Sequence, residues 1–181
     1  MRVPLTVADF LDRAETAFAE SVAVVDEPAP PAPPVPTTTY GELARRVRAW
    51  QAGLDGLGIA AGERVAVVSH NSAWLMELLH AVPASGRICV PVNFRLHPDE
   101  VRYIVGHSGA SVLLVDAELD EALQGVAAPH RFVLGAPDLS HVIFPVIFTV
   151  VTPAGGLAAV EGRAVYLRAG PVASRSCEED P

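Results

Sequence analysis

The chain has 181 residues, enough for one domain with a substantial core. Half of the residues are hydrophobic and 19% are charged, and the net charge of -8 argues against nucleic acid or an anionic membrane as an electrostatic partner. All 13 basic residues are arginine, so chemistry that needs a lysine ammonium is excluded, and the two cysteines, Cys89 and Cys177, make neither a disulfide framework nor a zinc set.

Met1-Arg2-Val3-Pro4 leads straight into a capped helix rather than an apolar targeting segment, so a cytoplasmic location is expected. Thr6 can cap that helix, with Asp9 three residues on to favour its positive end. Val7, Phe10, Leu11, Ala14 and Phe18 share one face at helical spacing and are expected to face the core. Ser21 breaks the helix, and Val22 to Val25 reads as a short strand. The run EPAPPAPPVP, residues 27–36, is too rich in proline for helix or sheet interior and favours extended polyproline II. It reads as a stiff surface loop between two strands; a ligand for an SH3-like or WW-like partner is the other reading.

Thr37 to Thr39 can form the returning strand, and Thr39-Tyr40-Gly41-Glu42 has the form of a capping box. Leu43, Val47, Trp50, Leu54 and Leu57 then make a core-facing stripe, with Arg45, Arg46 and Arg48 expected on the wet side and Gly56 and Gly58 ending the helix. Arg64 to Asp116 is the centre of the chain. Three short apolar runs, Arg64–Ser69, Ile88–Val92 and Ser111–Val115, alternate with two helix-period segments. One segment carries Trp74, Leu75, Leu78, Leu79 and Val82. The other opens at Pro98 after His97, carries Val101, Ile104 and Val105, and stops at Gly109. This alternation specifies an α/β fold, a parallel sheet flanked by helices. Asp116 is expected to cap a short helix carrying Leu119 and Leu123, and Arg131 to Leu134 reads as a further strand.

From about Asp138 the sequence changes style. Residues 139–160 contain no Asp, Glu, Lys or Arg, which raises a membrane span, although Pro145, Pro153, Gly155 and Gly156 argue against one. The expected division is therefore a family-like domain over 1–137 and an irregular, poorly ordered tail over 138–181.

Chemistry-bearing motifs are sparse. No phosphate loop of the GxGxxG or GxxxxGK[ST] type follows a strand, and the six histidines, at 70, 80, 97, 107, 130 and 141, are scattered and read as caps or surface groups. Cys89 lies in an apolar strand and reads as a small core residue. No residue is assigned a catalytic or metal-ligating role. Asp116 stands at a strand's carboxyl end, where a ribose can bind, but without a glycine loop the capping role is preferred. Arg95 follows another strand end; its guanidinium can fork onto a phosphate or pair with Asp99 or Glu100.

Taken in order, several segments match a known pattern: Leu5-Thr6-Val7-Ala8-Asp9-Phe10-Leu11, Thr39-Tyr40-Gly41-Glu42-Leu43, Gly62-Glu63-Arg64-Val65-Ala66-Val67, Asn71-Ser72 and Val82-Pro83-Ala84-Ser85-Gly86. The most specific is Pro91-Val92-Asn93-Phe94-Arg95-Leu96, leading into Glu100, Tyr103-Ile104 and the run from Ser108 to Val115. Over roughly residues 5 to 135 the chain resembles the N-terminal part of AMP-forming acyl-CoA synthetases, the adenylate-forming superfamily that includes fatty-acid–CoA ligases.

The resemblance implies the N-terminal subdomain of that fold and a two-step parent reaction using ATP, Mg and coenzyme A. A carboxylic acid, expected to be a fatty acid, becomes an acyl-adenylate, and the thiol of coenzyme A then displaces AMP. It also implies that Arg95 contacts a phosphate of coenzyme A. The family's phosphate loop and its lysine should follow residue 140, where this chain reads Leu139-Ser140-His141-Val142, and the catalytic lysine is also missing. The expectation is a truncated or frame-shifted synthetase fragment, inactive alone. The alternative is a non-catalytic α/β binding module, with a tether through 139–160 as its membrane variant.

Overall fold

The structure is a computed structural model that describes residues 6–26, 37–135, 148–151, 157–160 and 167–169. Helix α1 (Val7–Phe18) begins where Thr6 donates its backbone N–H and its hydroxyl to the Asp9 carboxylate, which holds that carboxyl below its usual range. Strand β1 (Val22–Val24) pairs antiparallel with β2 (Thr38–Thr39), so the chain returns on itself across the proline run, which lies outside the described residues. Helix α2 (Tyr40–Gly56) starts at Thr39, whose hydroxyl accepts the Glu42 N–H at 3.2 Å.

Strands β3 (Arg64–Val68), β4 (Ile88–Val92), β5 (Val112–Asp116) and β6 (His130–Leu134) are parallel, in the spatial order β4-β3-β5-β6. Helix α3 (Ala73–Ala84) links β3 to β4, and α4 (Pro98–Ser108) links β4 to β5. Successive side chains of a strand point to opposite faces, and the core divides accordingly. Val65, Val67, Val112 and Leu114 pack under α1, α2 and α3 with Leu43, Val47, Trp50, Leu78 and Val82. Ala66, Val68, Leu113 and Val115 pack under α4 with Val101 and Val105, and under the 117–128 segment with Leu123 and Val126. The expected α/β fold with a parallel sheet flanked by helices is thus present, its central strands buried on both faces. Each fully buried Val or Leu side chain of these layers contributes about 1.5–3 kcal/mol.

Several expectations need correction. In α1 only Leu11 is buried; Phe10 is 66% exposed, Phe18 60% and Val7 41%. Among the described elements the helix leans mainly on α2 and α3, and Leu11 is its one residue in the core cluster. Ion pairing of Arg48 with Glu15 and Asp12 fastens its wet side. Leu79 also faces outward, at 37% exposure. Arg46 is not on the wet side of α2. Its Nε donates to Glu77 Oε1, and its guanidinium lies over the Trp74 ring, 5.1 Å from the centroid. Glu77, fully buried on α3, accepts a second bond at 3.0 Å from Trp50 Nε1. Burial pushes the Glu77 carboxyl above its usual range, while Arg46 and Trp50 pull it back. The apolar stripe of α3 therefore encloses a charged pair.

Beyond residue 137, β7 (Phe148–Val151) and β8 (Leu157–Val160) pair antiparallel, and β9 (Leu167–Ala169) joins the sheet antiparallel to β6. The stretch raised as a membrane span is described only at 148–151 and 157–160, both strands, and no helix among the described residues is long and apolar enough to cross a membrane. The rest of the expected tail lies outside the described residues.

Candidate functional site at the carboxyl edge of the sheet

In an open parallel sheet, ligands bind beyond the carboxyl ends of strands whose outgoing connections leave toward opposite faces. Strand β3 meets that condition on both sides. Its connection goes to α3 on one face, while those from β4 and β5 go to α4 and to the 117–128 segment on the other. At the carboxyl ends of these strands, Ser69-His70 follows β3, Asn93-Phe94-Arg95 follows β4 and Asp116 is the last residue of β5.

These residues touch. His70 donates its backbone N–H to Asp116 Oδ2 at 2.6 Å, and its ring Nδ1 lies 3.0 Å from the same oxygen. A carboxylate accepts and cannot donate, so ring Nδ1 is the donor in this contact. The His70 ring packs on Phe94 with centroids 4.1 Å apart and planes tilted by 40°. The Arg95 guanidinium lies over the same Phe94 ring, 5.1 Å from its centroid. Asn93 shapes the turn, its Oδ1 accepting the Arg95 N–H at 3.0 Å.

Arg95 is exposed, and no carboxylate among the described residues pairs with it. The two acids named as alternatives are engaged elsewhere. Asp99 pairs with Arg102, and Glu100 accepts the His97 N–H at 2.9 Å while capping α4. A cation stacked on an aromatic ring, with its donors directed at water, is suited to an anionic oxygen.

Asp116 overturns the capping expectation. The 3-10 turn at Ala117–Leu119 receives no hydrogen bond from its side chain, which is fully buried toward His70, with Oδ1 lacking a partner among the described residues. The register explains this: Val68 lies opposite Val115, so Asp116 arrives beside the start of the His70 turn. His70 likewise departs from the reading given to the six histidines, whereas His97 fits it, its Nδ1 accepting the Asp99 N–H at 3.3 Å as the cap of α4. Polar residues placed just past two adjacent apolar strands were the available signal for His70 and Asp116. Cys89 is half-buried beside the core on β4, and burial pushes its thiol up.

Among the described residues no three His, Cys, Asp or Glu side chains converge for a metal ion. One buried carboxylate oxygen is no octahedral set, so these residues do not fit Mg, and no step is derived through it. The segment expected to replace the phosphate loop, after residue 140, lies outside the described residues.

The sequence matches the family model of the AMP-binding enzymes over residues 11–144. The chain belongs to this family of AMP-binding enzymes. Among curated relatives it is 36% identical over 128 residues to a long-chain-fatty-acid–CoA ligase of Thermus thermophilus, covering 67% of this chain and 22% of that protein. It is 40% identical over 90 residues to a feruloyl-CoA synthase of an Amycolatopsis species, covering 50% of this chain and 18% of that protein. The chain spans about a fifth of the length of the curated relatives it matches. Among solved structures, a long-chain-fatty-acid–CoA ligase from Archaeoglobus fulgidus superposes with TM-score 0.67 at 25% identity, over 76% of this chain and 29% of that one. An anthranilate CoA ligase in complex with anthranoyl-AMP shares the fold, with TM-score 0.66 at 23% identity, over 75% of this chain and 26% of that one.

Proposed function

We propose that this chain supplies the N-terminal scaffold of an AMP-forming acid–CoA ligase and a contact to a phosphate of coenzyme A, without performing adenylation as it stands. In the parent reaction a carboxylate oxygen attacks the α-phosphorus of ATP, forming an acyl-adenylate and releasing pyrophosphate. The thiolate of coenzyme A then attacks the acyl carbon and AMP leaves. Neither step requires covalent participation by the residues at this sheet edge. The work left for them is orientation and charge complementarity at the non-reacting end of a substrate.

The observation that carries this reading is Arg95: a guanidinium at the carboxyl edge of β4, stacked on Phe94 and held by no carboxylate among the described residues. The absence of lysine from all 181 residues supports the second half of the reading, because the family's adenylation chemistry relies on lysine. The acid is proposed to be a fatty acid, in line with the Thermus relative, and the setting to be the cytoplasm.

Calorimetric titration with coenzyme A tests the phosphate contact. Arg95→Ala is expected to weaken binding by about tenfold or more, the worth of a charged hydrogen bond. Unchanged affinity refutes the contact. ATP–pyrophosphate exchange with fatty acids is expected to be absent, and robust exchange overturns the non-adenylating reading.

A further inference from the structure

We propose that His70, clamped by Asp116, is a positioning residue that sets the Arg95 guanidinium through the ring of Phe94. This rests on the reading of Arg95 as a phosphate contact for its function, though not for its geometry. Three strand ends contribute one layer each. Asp116 ends β5, His70 follows β3, and Phe94-Arg95 follow β4.

Asp116 grips His70 twice, by the backbone N–H at 2.6 Å and by ring Nδ1 at 3.0 Å, so both the position and the plane of the imidazole are fixed. The carboxylate is fully buried and the imidazole side chain is 16% exposed, so water competes weakly for either bond. The ring in turn backs Phe94 at 4.1 Å, and Phe94 is the surface on which Arg95 rests. Among the described residues the Arg95 side chain has no hydrogen-bond partner, and its backbone is held in the Asn93 turn. A long side chain with no ion-pair partner among the described residues samples many rotamers unless a ring confines it. Confinement before binding spares the ordering cost that the ligand would otherwise meet, so the dyad acts on affinity without touching the ligand.

Two substitutions separate the layers. His70→Phe keeps a ring under Phe94 and loses the donor to Asp116. His70→Asn keeps a donor near the Nδ1 position and loses the ring. The decisive measurement is nuclear magnetic relaxation of the Arg95 Nε–H in the free full-length chain, which reads side-chain order directly. His70→Asn is expected to lower the Arg95 order parameter, and Asp116→Asn to lower it less, since an amide oxygen still accepts. Restoring the aromatic ring in His70→Phe should recover part of the order lost in His70→Asn. An order parameter unchanged in His70→Asn, with the thermal midpoint also unchanged, overturns the proposal. If the variant melts early, His70→Phe decides: Arg95 order no higher than in His70→Asn also overturns it.

The second arm is coenzyme A affinity. His70→Asn is expected to weaken it by about two- to twelvefold, the scale of ordering one rotamer-rich side chain. Loss of affinity in Arg95→Ala but none in the His70 variants overturns the positioning role and leaves the phosphate contact standing. Arg95 order that depends on His70, with affinity indifferent to Arg95→Ala, supports the clamp and overturns the phosphate contact.

Discussion

Replacing Glu77 by Leu tests whether the charged pair between α2 and α3 stabilises the fold or merely occupies it. The substitution leaves Arg46 without its carboxylate and Trp50 Nε1 without its acceptor. Removing one partner of a buried pair costs about 3–5 kcal/mol. Arg46 retains 17% side-chain exposure and can turn partly to water, which places the cost near the lower end of that range. The orphaned indole N–H adds about 1–3 kcal/mol, and the extra apolar burial of Leu returns about 1.5–3 kcal/mol, so these two nearly cancel. The net expectation is a loss of about 3 kcal/mol, read in urea denaturation as a midpoint lowered by roughly 1 to 3 M. Adding Arg46→Met to Glu77→Leu removes the stranded charge and should bring stability back to within about 1 kcal/mol of the parent. A single variant that loses less than about 1 kcal/mol, or a double variant as unstable as the single, would refute this account of the pair.

Glu77 also leaves a signature in pH. Its carboxyl sits above the ordinary value of 4.5 in the folded chain, chiefly through burial, so the folded state binds a proton that the unfolded state has released. Between 4.5 and the raised folded value, Glu77 therefore adds stability as pH falls, and that contribution is lost as pH rises through the folded value. Urea titrations from neutral pH downward should show Glu77→Gln losing stability more steeply than the parent; parallel slopes would contradict the shift. Gly109 ends α4 with φ of +62°, and a Cβ there would lie 2.8 Å from Arg64 Nη2. Gly109→Ala should cost about 1–2 kcal/mol in the same assay, from left-handed strain and displacement of Arg64. Ser72 caps α3 by accepting the Leu75 N–H at 3.3 Å, and Ser72→Ala should lower stability by about 1 kcal/mol while leaving the far-UV spectrum intact.

The layers were legible in the sequence because period and punctuation agreed. Unbroken runs such as Val65 to Val68 allow only a strand buried on both sides, and Pro98 and Gly109 bracket α4 where its apolar period begins and ends. Periodicity reports that a helix has an apolar face without reporting how much of it is covered. Phe10 and Phe18 fit the α1 stripe as well as Leu11 does, yet only Leu11 meets α2 and α3 closely. Arg46 escaped for the converse reason: its partner Glu77 lies 31 residues away, and neither residue's neighbours signal the pairing. The candidate site was half visible. Arg95 carried a family pattern and a strand end, whereas the bond from His70 to Asp116 depends on which strands become neighbours, and the order β4-β3-β5 is not written in any local window.

Pro91 has a consequence for association. Strand β4 pairs only with β3 among the described residues, so its other side is a row of main-chain groups onto which a second copy of the chain could zip. Proline as the fourth residue of this five-residue strand offers no N–H, so an added strand loses a rung near the carboxyl end. Pro91, two residues before the Asn93-Phe94-Arg95 turn, thereby acts as a gatekeeper against edge-to-edge aggregation at this strand.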